Sequence, residues 1–196
     1  NLSNGHIKQQ DNVQIFNGDI RNKKDLEQIF VATDFDAVMH FAAKIEVKES
    51  QSDPGNYYEN NVCGTINILE AMRKHEVKTI VFSSTAAVYG NPTEIPLKET
   101  SEKKPINTYG RTKLMVEQIL EDYHTAYGLS AVVFRYFNAA GAATDGSIGE
   151  VHHPESHLIP ILLDKLTNGG EFTVNGNDYD TPDKTAIRDF VHVMDI

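Results

Sequence analysis

A single cysteine, Cys63, is all that the 196 residues hold, which excludes an intramolecular disulfide and a multi-cysteine metal cage and suits a reducing, cytoplasmic setting. Basic residues are also scarce. Only 18 Lys and Arg face 28 Asp and Glu, a net charge of -10, so no basic stripe is available for a nucleic-acid backbone. A small anionic ligand could still be met where a few cations converge. Long apolar runs are missing: none approaches the roughly 20 residues of a membrane span. The opening NLSNGHIKQQ lacks a signal-peptide core. The first residue is not methionine, as expected of a processed or clipped chain. Neither an internal repeat nor a low-complexity tract occurs. What is present, 40% hydrophobic and 23% charged, is ordinary for one globular domain with a partial second.

Short β-branched and aromatic runs alternate with longer segments of helical period, which predicts an α/β fold built on a parallel sheet. The expected strands are VQIFNGD (13–19), DAVMHFAA (36–43), KTIVFSS (78–84) and AVVFRYF (131–137). Crossover helices are expected over 22–30, 56–75 and 107–128. On the third, Val116, Ile119, Leu120, Tyr123 and Tyr127 form one apolar stripe, and Gly128 stands where a helix C-terminal glycine would. After residue 138 the chain turns small, polar and turn-rich, as for a loop leaving the sheet. Residues 157–168 read as a helix that begins after Pro160 or is kinked by it, and EFTVNG (171–176) and RDFVHV (188–193) as short strands.

In such sheets ligands bind beyond the carboxyl ends of the strands, which here carry NGD, HFAA, SST and RYFN. Ala42 and Ala43 are small enough for a large ligand to approach the backbone, or to pack beneath a helix. Tyr109 and Lys113 lie one helical turn apart, so their side chains share a face. An ammonium there would stabilise a phenolate and lower the tyrosine pKa toward working pH, making it a general base and acid. Such a pair also arises by chance; SST at the preceding strand end adds weight by supplying a hydroxyl. Other clusters read as bland. His152, His153, His157 and Glu155 lack a regular metal-ligand spacing, Asp178, Asp180 and Asp183 lack the glycine and closing glutamate of a calcium loop, and no metal is expected. Cys63, inside an apolar helix, is expected to pack inertly.

The ordered motifs GDIR, HFAA, FSSTAAVYG, PINTYGRTKLMVEQIL and RYFNAAGA, followed by HLIP, GNDYDTPD and IRDFVHV, run nearly end to end. With them the chain resembles the extended short-chain dehydrogenase/reductases, and within these the UDP-hexose 4-epimerases. The resemblance implies an incomplete Rossmann-like parallel sheet flanked by helices over 1–138, followed over 139–196 by part of a smaller α/β substrate domain. It further implies tightly held NAD and reversible inversion at carbon-4 of a UDP-hexose such as UDP-galactose or UDP-glucose, through a 4-keto intermediate. Tyr109, Lys113 and Thr85 would be catalytic. Tyr109, Lys113, Asn1, Leu2, Ser3, Asn4, Asp19, Ile20, Phe41, Ala42, Ala43, Asn60 and Phe137 would contact NAD. Thr85, Asn138, His157, Leu158, Thr173, Val174 and Arg188 would face the UDP-sugar, with Arg188 at the pyrophosphate. A homodimer paired through 56–75 and 107–128 is the implied assembly.

The departures are specific. Ile45 stands where some members carry a lysine, with Lys44 one place earlier, and Asn175 replaces an aromatic expected to stack on uracil. Ala86 and Ala87 follow Thr85 where the 4,6-dehydratases carry Asp-Glu, which counts against dehydration. Epimerases for UDP-N-acetylhexosamines or UDP-pentoses remain open. The family's Gly-x-x-Gly-x-x-Gly turn is absent, so a β-α-β unit of roughly 30 residues is expected to precede Asn1. These 196 residues alone are accordingly expected to bind NAD poorly. A non-catalytic remnant that binds a partner through open sheet edges is the competing reading.

Overall fold

The computed structural model describes residues 13–152 and 154–196. Within them the chain forms two compact units, Ile15–Tyr136 and Phe137–Ile196, the latter also grouping Val13 and Gln14. The candidate NAD contacts Asn1, Leu2, Ser3 and Asn4 lie outside the described residues.

The first unit is a three-stranded parallel sheet in the order β1 (Val38–His40), β2 (Thr79–Ser83), β3 (Ser130–Phe134). Register sets its two faces. Ile80, between Val38 and Ala131, and Phe82, between His40 and Val133, point to the covered side, where both are buried. There they meet Leu26 and Phe30 of α1 (Lys23–Ala32), Ile68, Leu69 and Met72 of α4 (Gly64–Lys74), and Val116 and Leu120 of α5 (Thr108–Tyr127) in one core. The intervening row Met39, Val81, Val132 faces the other way, with Met39 65% and Val132 50% exposed.

Local chemistry explains where the helices begin and end. Asn22 caps α1 by accepting the Lys24 amide at 3.0 Å, and Asn107 caps α5 by accepting that of Gly110 at 2.7 Å. Gly128 closes α5 at φ 69°, the left-handed geometry that glycine adopts without cost, and its amide returns to the His124 carbonyl. Tyr127, placed on the apolar stripe by its spacing, is instead exposed; its ring meets Tyr123 edge-on and lies 5.4 Å from the Arg73 guanidinium. Between β1 and α4 the chain passes through two short helices, α2 (Val47–Ser52) and α3 (Pro54–Tyr57), and a widened π-helical turn, Tyr58–Cys63.

Four expectations are corrected. Residues 13–19 form no strand. A strand exists only by pairing, and none among the described residues lies beside this segment, which exposes Val13, Ile15 and Phe16. Residues 171–176 likewise form no strand with the described residues. Conversely, Asn138–Ala140 in the turn-rich stretch is a strand, β4, because it pairs in parallel with β5 (Phe190–His192). Cys63 is exposed rather than packed, because Asn61, Thr65 and Ile68 take the inward positions of that helical run. In the second unit α6 spans Leu158–Asn168, and Pro160 sits in its first turn, where a missing amide costs nothing. No helix among the described residues is long and apolar enough to cross a membrane.

Leu69 is 1% exposed and bounded by sheet and helices, so Leu69→Ala should lower the unfolding free energy by about 2–5 kcal/mol. Val132→Ala, on the open face, should cost about 1 kcal/mol or less. Chemical denaturation of the two variants checks the contrast.

Candidate active site

The N-terminus of α5 is pressed against the chain that leaves β2. Gly110 makes this approach possible: a Cβ there would lie 2.7 Å from the Ala87 carbonyl oxygen and 3.0 Å from Pro105. Two hydroxyls fix the backbone of Tyr109, its amide donating to Ser50 Oγ at 3.2 Å and its carbonyl accepting from Thr112 Oγ1 at 2.7 Å. Thr85 caps the 3-10 turn Ala86–Tyr89, accepting the Ala87 amide at 3.2 Å, and its hydroxyl lies by the Tyr109 phenol, where it favours the ionised form.

Lys113, one turn further along α5, is 2% exposed. Its Nζ donates to the Ser83 carbonyl at 2.6 Å and lies 4.9 Å from the centre of the Phe82 ring and 5.8 Å from that of Tyr109. Burial pushes its pKa down to about 8. The same burial raises Tyr109, and the neighbouring Thr85 hydroxyl only partly offsets it. The expected lowering of the tyrosine by lysine is thus corrected: desolvation dominates, and the ammonium is directed at Ser83 rather than at the phenol.

His40, at the end of β1, is 4% exposed and is held down to about pKa 4 by burial first and the Lys113 charge second. Its Nε2 lies 2.8 Å from Thr65 Oγ1, which already donates to the Asn61 carbonyl at 2.6 Å. Thr65 must therefore accept from His40, which assigns the neutral Nε2–H tautomer. Asn61 extends the network, pairing with both the amide and the carbonyl of Lys44 at 2.8 and 3.0 Å and donating to Thr112 at 3.2 Å. A second buried centre was not legible as a site. Glu117, a turn beyond Lys113, accepts from Ser84 Oγ at 2.5 Å and from Arg135 through both oxygens, at 2.9 and 2.8 Å. The only sequence signals were the spacing of Glu117 from Lys113 and the polar residues at the ends of SST and RYF.

The remaining expected residues fall at several places. Asp19 accepts from Arg21 at 2.7 Å, and Ile20 packs on Gly64. Phe41 and Ala42 are exposed at the end of β1, Ala43 and Asn60 partly so. Lys44 pairs with Glu49 at 3.2 Å beside exposed Ile45. In the second unit Phe137 is exposed, Asn138 donates to the Asp189 carbonyl at 2.8 Å, Leu158, Thr173, Val174 and Asn175 are exposed, and Arg188 reaches the Ile187 carbonyl. His157 Nδ1 contacts Glu150, and His152 Nδ1 lies 3.2 Å from Glu150 and 3.6 Å from Glu155. These four side chains bring donor atoms within 4.8 Å of one another, an arrangement that His–Glu pairing also accounts for. His153 lies outside the described residues. Asp183 is occupied by Thr185, whose amide and hydroxyl hold its carboxyl below the usual range.

A family model for the NAD dependent epimerase/dehydratase family matches residues 1–196. The chain belongs to this family. Among curated relatives, a UDP-glucose 4-epimerase of Halalkalibacterium halodurans is 49% identical across all of this chain and 59% of its own length. Among solved structures, a UDP-glucose 4-epimerase from Brucella ovis in complex with NAD has a TM-score of 0.91 at 46% identity, covering the whole of this chain and 60% of that one. A third, from Bifidobacterium longum in complex with NAD+ and UDP, has a TM-score of 0.87 at 41% identity over 92% of this chain and 55% of its own. The first unit is therefore Rossmann-like, and the chain spans about 60% of the length of these relatives.

The folded pKa of His40 lies below its unfolded value of about 6.5, so the unfolded chain takes up a proton first as pH falls. The stability His40 confers is complete above pH 6.5 and is lost on the way down to about 4. His40→Gln should flatten the stability profile between these limits, by about 3 kcal/mol; unfolding at stepped pH tests this.

Proposed function

We propose that the protein containing these residues catalyses reversible 4-epimerisation of a UDP-hexose, UDP-galactose to UDP-glucose, with NAD as its resident cofactor. The observation that carries this reading is the Tyr109 phenol with the Thr85 hydroxyl by it and buried Lys113, 5.8 Å from its ring, at the carboxyl edge of a parallel sheet. The chain's resemblance to UDP-glucose 4-epimerases, among them structures solved with NAD, supports it.

The residues present fit the cofactor. Exposed, small Ala42 at the end of β1 leaves the backbone approachable, and Tyr109 and Lys113 adjoin the end of β2. In this reading Asp19 and Ile20 hold the adenine end, with Asn1 to Asn4 on the ribose, Phe41, Ala42, Ala43 and Asn60 lie along the phosphates and nicotinamide, and Phe137 and Lys113 hold the nicotinamide side. Bound NAD would supply the hydride acceptor and donor, together with a positive charge near the phenol. Tyr109 takes the proton of the sugar 4-hydroxyl and returns it to the keto oxygen, so one group acts as base and then acid. Thr85 donates to the oxygen on which charge develops. Asn138, His157, Leu158, Thr173, Val174 and Arg188 would hold the UDP-sugar, Arg188 pairing with the pyrophosphate.

The unit Ile15–Tyr136 would then be the NAD-binding domain and Phe137–Ile196 part of the sugar-binding one. Exposed Met115 and Tyr127 on α5 support pairing with a second copy, and a lone thiol suits the cytoplasm.

The full-length gene product should convert UDP-galactose to UDP-glucose without added reductant. Tyr109→Phe should lower kcat by about 100-fold or more, since the hydroxyl that carries the proton is removed. Retained activity in this variant would take Tyr109 out of its role. UDP-N-acetylgalactosamine and UDP-arabinose, assayed in parallel, report substrate preference.

A further inference from the structure

Four segments of the first unit converge on one carboxylate. Glu117 is 3% exposed; Arg135, just past β3, grips it with a bidentate fork, Lys103 lies 3.5 Å away, and Ser84 Oγ donates to it at 2.5 Å. The fork is itself anchored. Arg135 Nη1 donates to the Tyr89 hydroxyl at 2.8 Å and to the Glu99 carbonyl at 3.0 Å. A guanidinium held at both ends fixes direction as well as distance, because its donors are rigid and planar.

The clamp encloses Thr85 along the chain. Ser84 immediately precedes it, and Tyr89 ends the 3-10 turn that it caps. Residues 84–85 lie past the end of β2, so the sheet ladder does not hold them there. Their backbone is tied by Ser84 N to the Phe82 carbonyl at 3.1 Å and, one residue on, by Ala86 N to the Tyr136 carbonyl at 3.1 Å. The link from Ser84 to Glu117 adds the side-chain restraint next to Thr85, and it comes from α5, the helix that carries Tyr109.

We propose that Glu117, acting through Ser84, is a positioning residue that sets the Thr85 hydroxyl against the Tyr109 phenol. The catalytic consequence rests on the epimerase reading; the alignment itself does not. A hydroxyl displaced by a fraction of an ångström no longer supports the reacting oxygen, whereas substrate contacts made elsewhere are untouched. The effect therefore falls on kcat more than on KM.

Ser84→Ala and Glu117→Gln, made in the full-length gene product with and without Thr85→Ala, test this. Each single variant should lower kcat by about 10- to 100-fold with KM within about threefold of the parent. In the Thr85→Ala background either should cost less than about threefold, because a hydroxyl already absent cannot be misplaced. Equal losses in both backgrounds, or unchanged kcat in both single variants, would overturn the proposal. Ser84→Ala removes only a hydroxyl and decides the matter where Glu117→Gln does not fold. The alignment can also be read without turnover, from the titration of Tyr109 by NMR of ring-labelled tyrosine, assigned with Tyr109→Phe. Ser84→Ala should raise the phenol pKa as Thr85→Ala does, and the double variant no further; an unmoved phenol in Ser84→Ala overturns the proposal. A wild type that does not epimerise refutes the activity alone, and the titration then decides the positioning claim.

Discussion

An ammonium buried at the end of a central strand constrains much of this site. Taking Lys113 out of water costs several kcal/mol, and the neighbours that offset this are the Ser83 carbonyl and the face of Phe82. The compensation is incomplete, which is why its pKa falls to about 8. Its charge, added to burial, keeps His40 neutral, and a neutral His40 can give its Nε2–H to Thr65. Thr65 and Asn61 carry the chain of hydrogen bonds from there to Thr112 and the Tyr109 carbonyl. One costly charge thus stands at the junction of β1, β2, α4 and α5.

Tyr109, Lys113 and Glu117 follow one another at intervals of four residues, so they share a face of α5. That face is polar where the helix as a whole packs on an apolar core. Each polar group meets a different part of the strand end: Thr85 at the phenol, the Ser83 carbonyl at the ammonium and the Ser84 hydroxyl at the carboxylate. The close approach allowed by Gly110 keeps these contacts short. The helix and the strand end therefore fix each other's register, and the hydroxyl and phenol are set by the same clamp.

The alternation of strand and helix patterns was legible because periodicity reports burial, and β2 and α5 fell within one or two residues of expectation. Residues 13–19 carry the same strand pattern and yet form no strand with the described residues, since pattern records a preference and a ladder needs a neighbouring strand. Asn138–Ala140 shows the converse: a small, polar run becomes a strand when Phe190–His192 lies beside it. At the site, the Tyr–Lys spacing and the SST hydroxyl could be read directly, because residues four apart on a helix must be neighbours. Glu117 and Arg135 could not, since a charged residue on a helix ordinarily faces water and its partner lies 18 residues away.

Spacing alone gives the wrong sign for the tyrosine shift for the same reason. Spacing shows that an ammonium is near; it does not show how deeply either group is buried or where the ammonium points. Burial raises Tyr109 and lowers Lys113, so near neutral pH the pair rests as phenol and ammonium, the form that donates a proton rather than accepts one. Thr85 works against that bias by drawing the phenol pKa down. A reversible acid–base cycle needs both forms of the phenol within reach. Further lowering has to arrive with a bound ligand, and it acts on a phenol whose partner hydroxyl must already be aligned. The placement of Thr85 consequently matters more to this chain than its modest size suggests, and the buried Glu117–Arg135 clamp one residue away is where that placement is held.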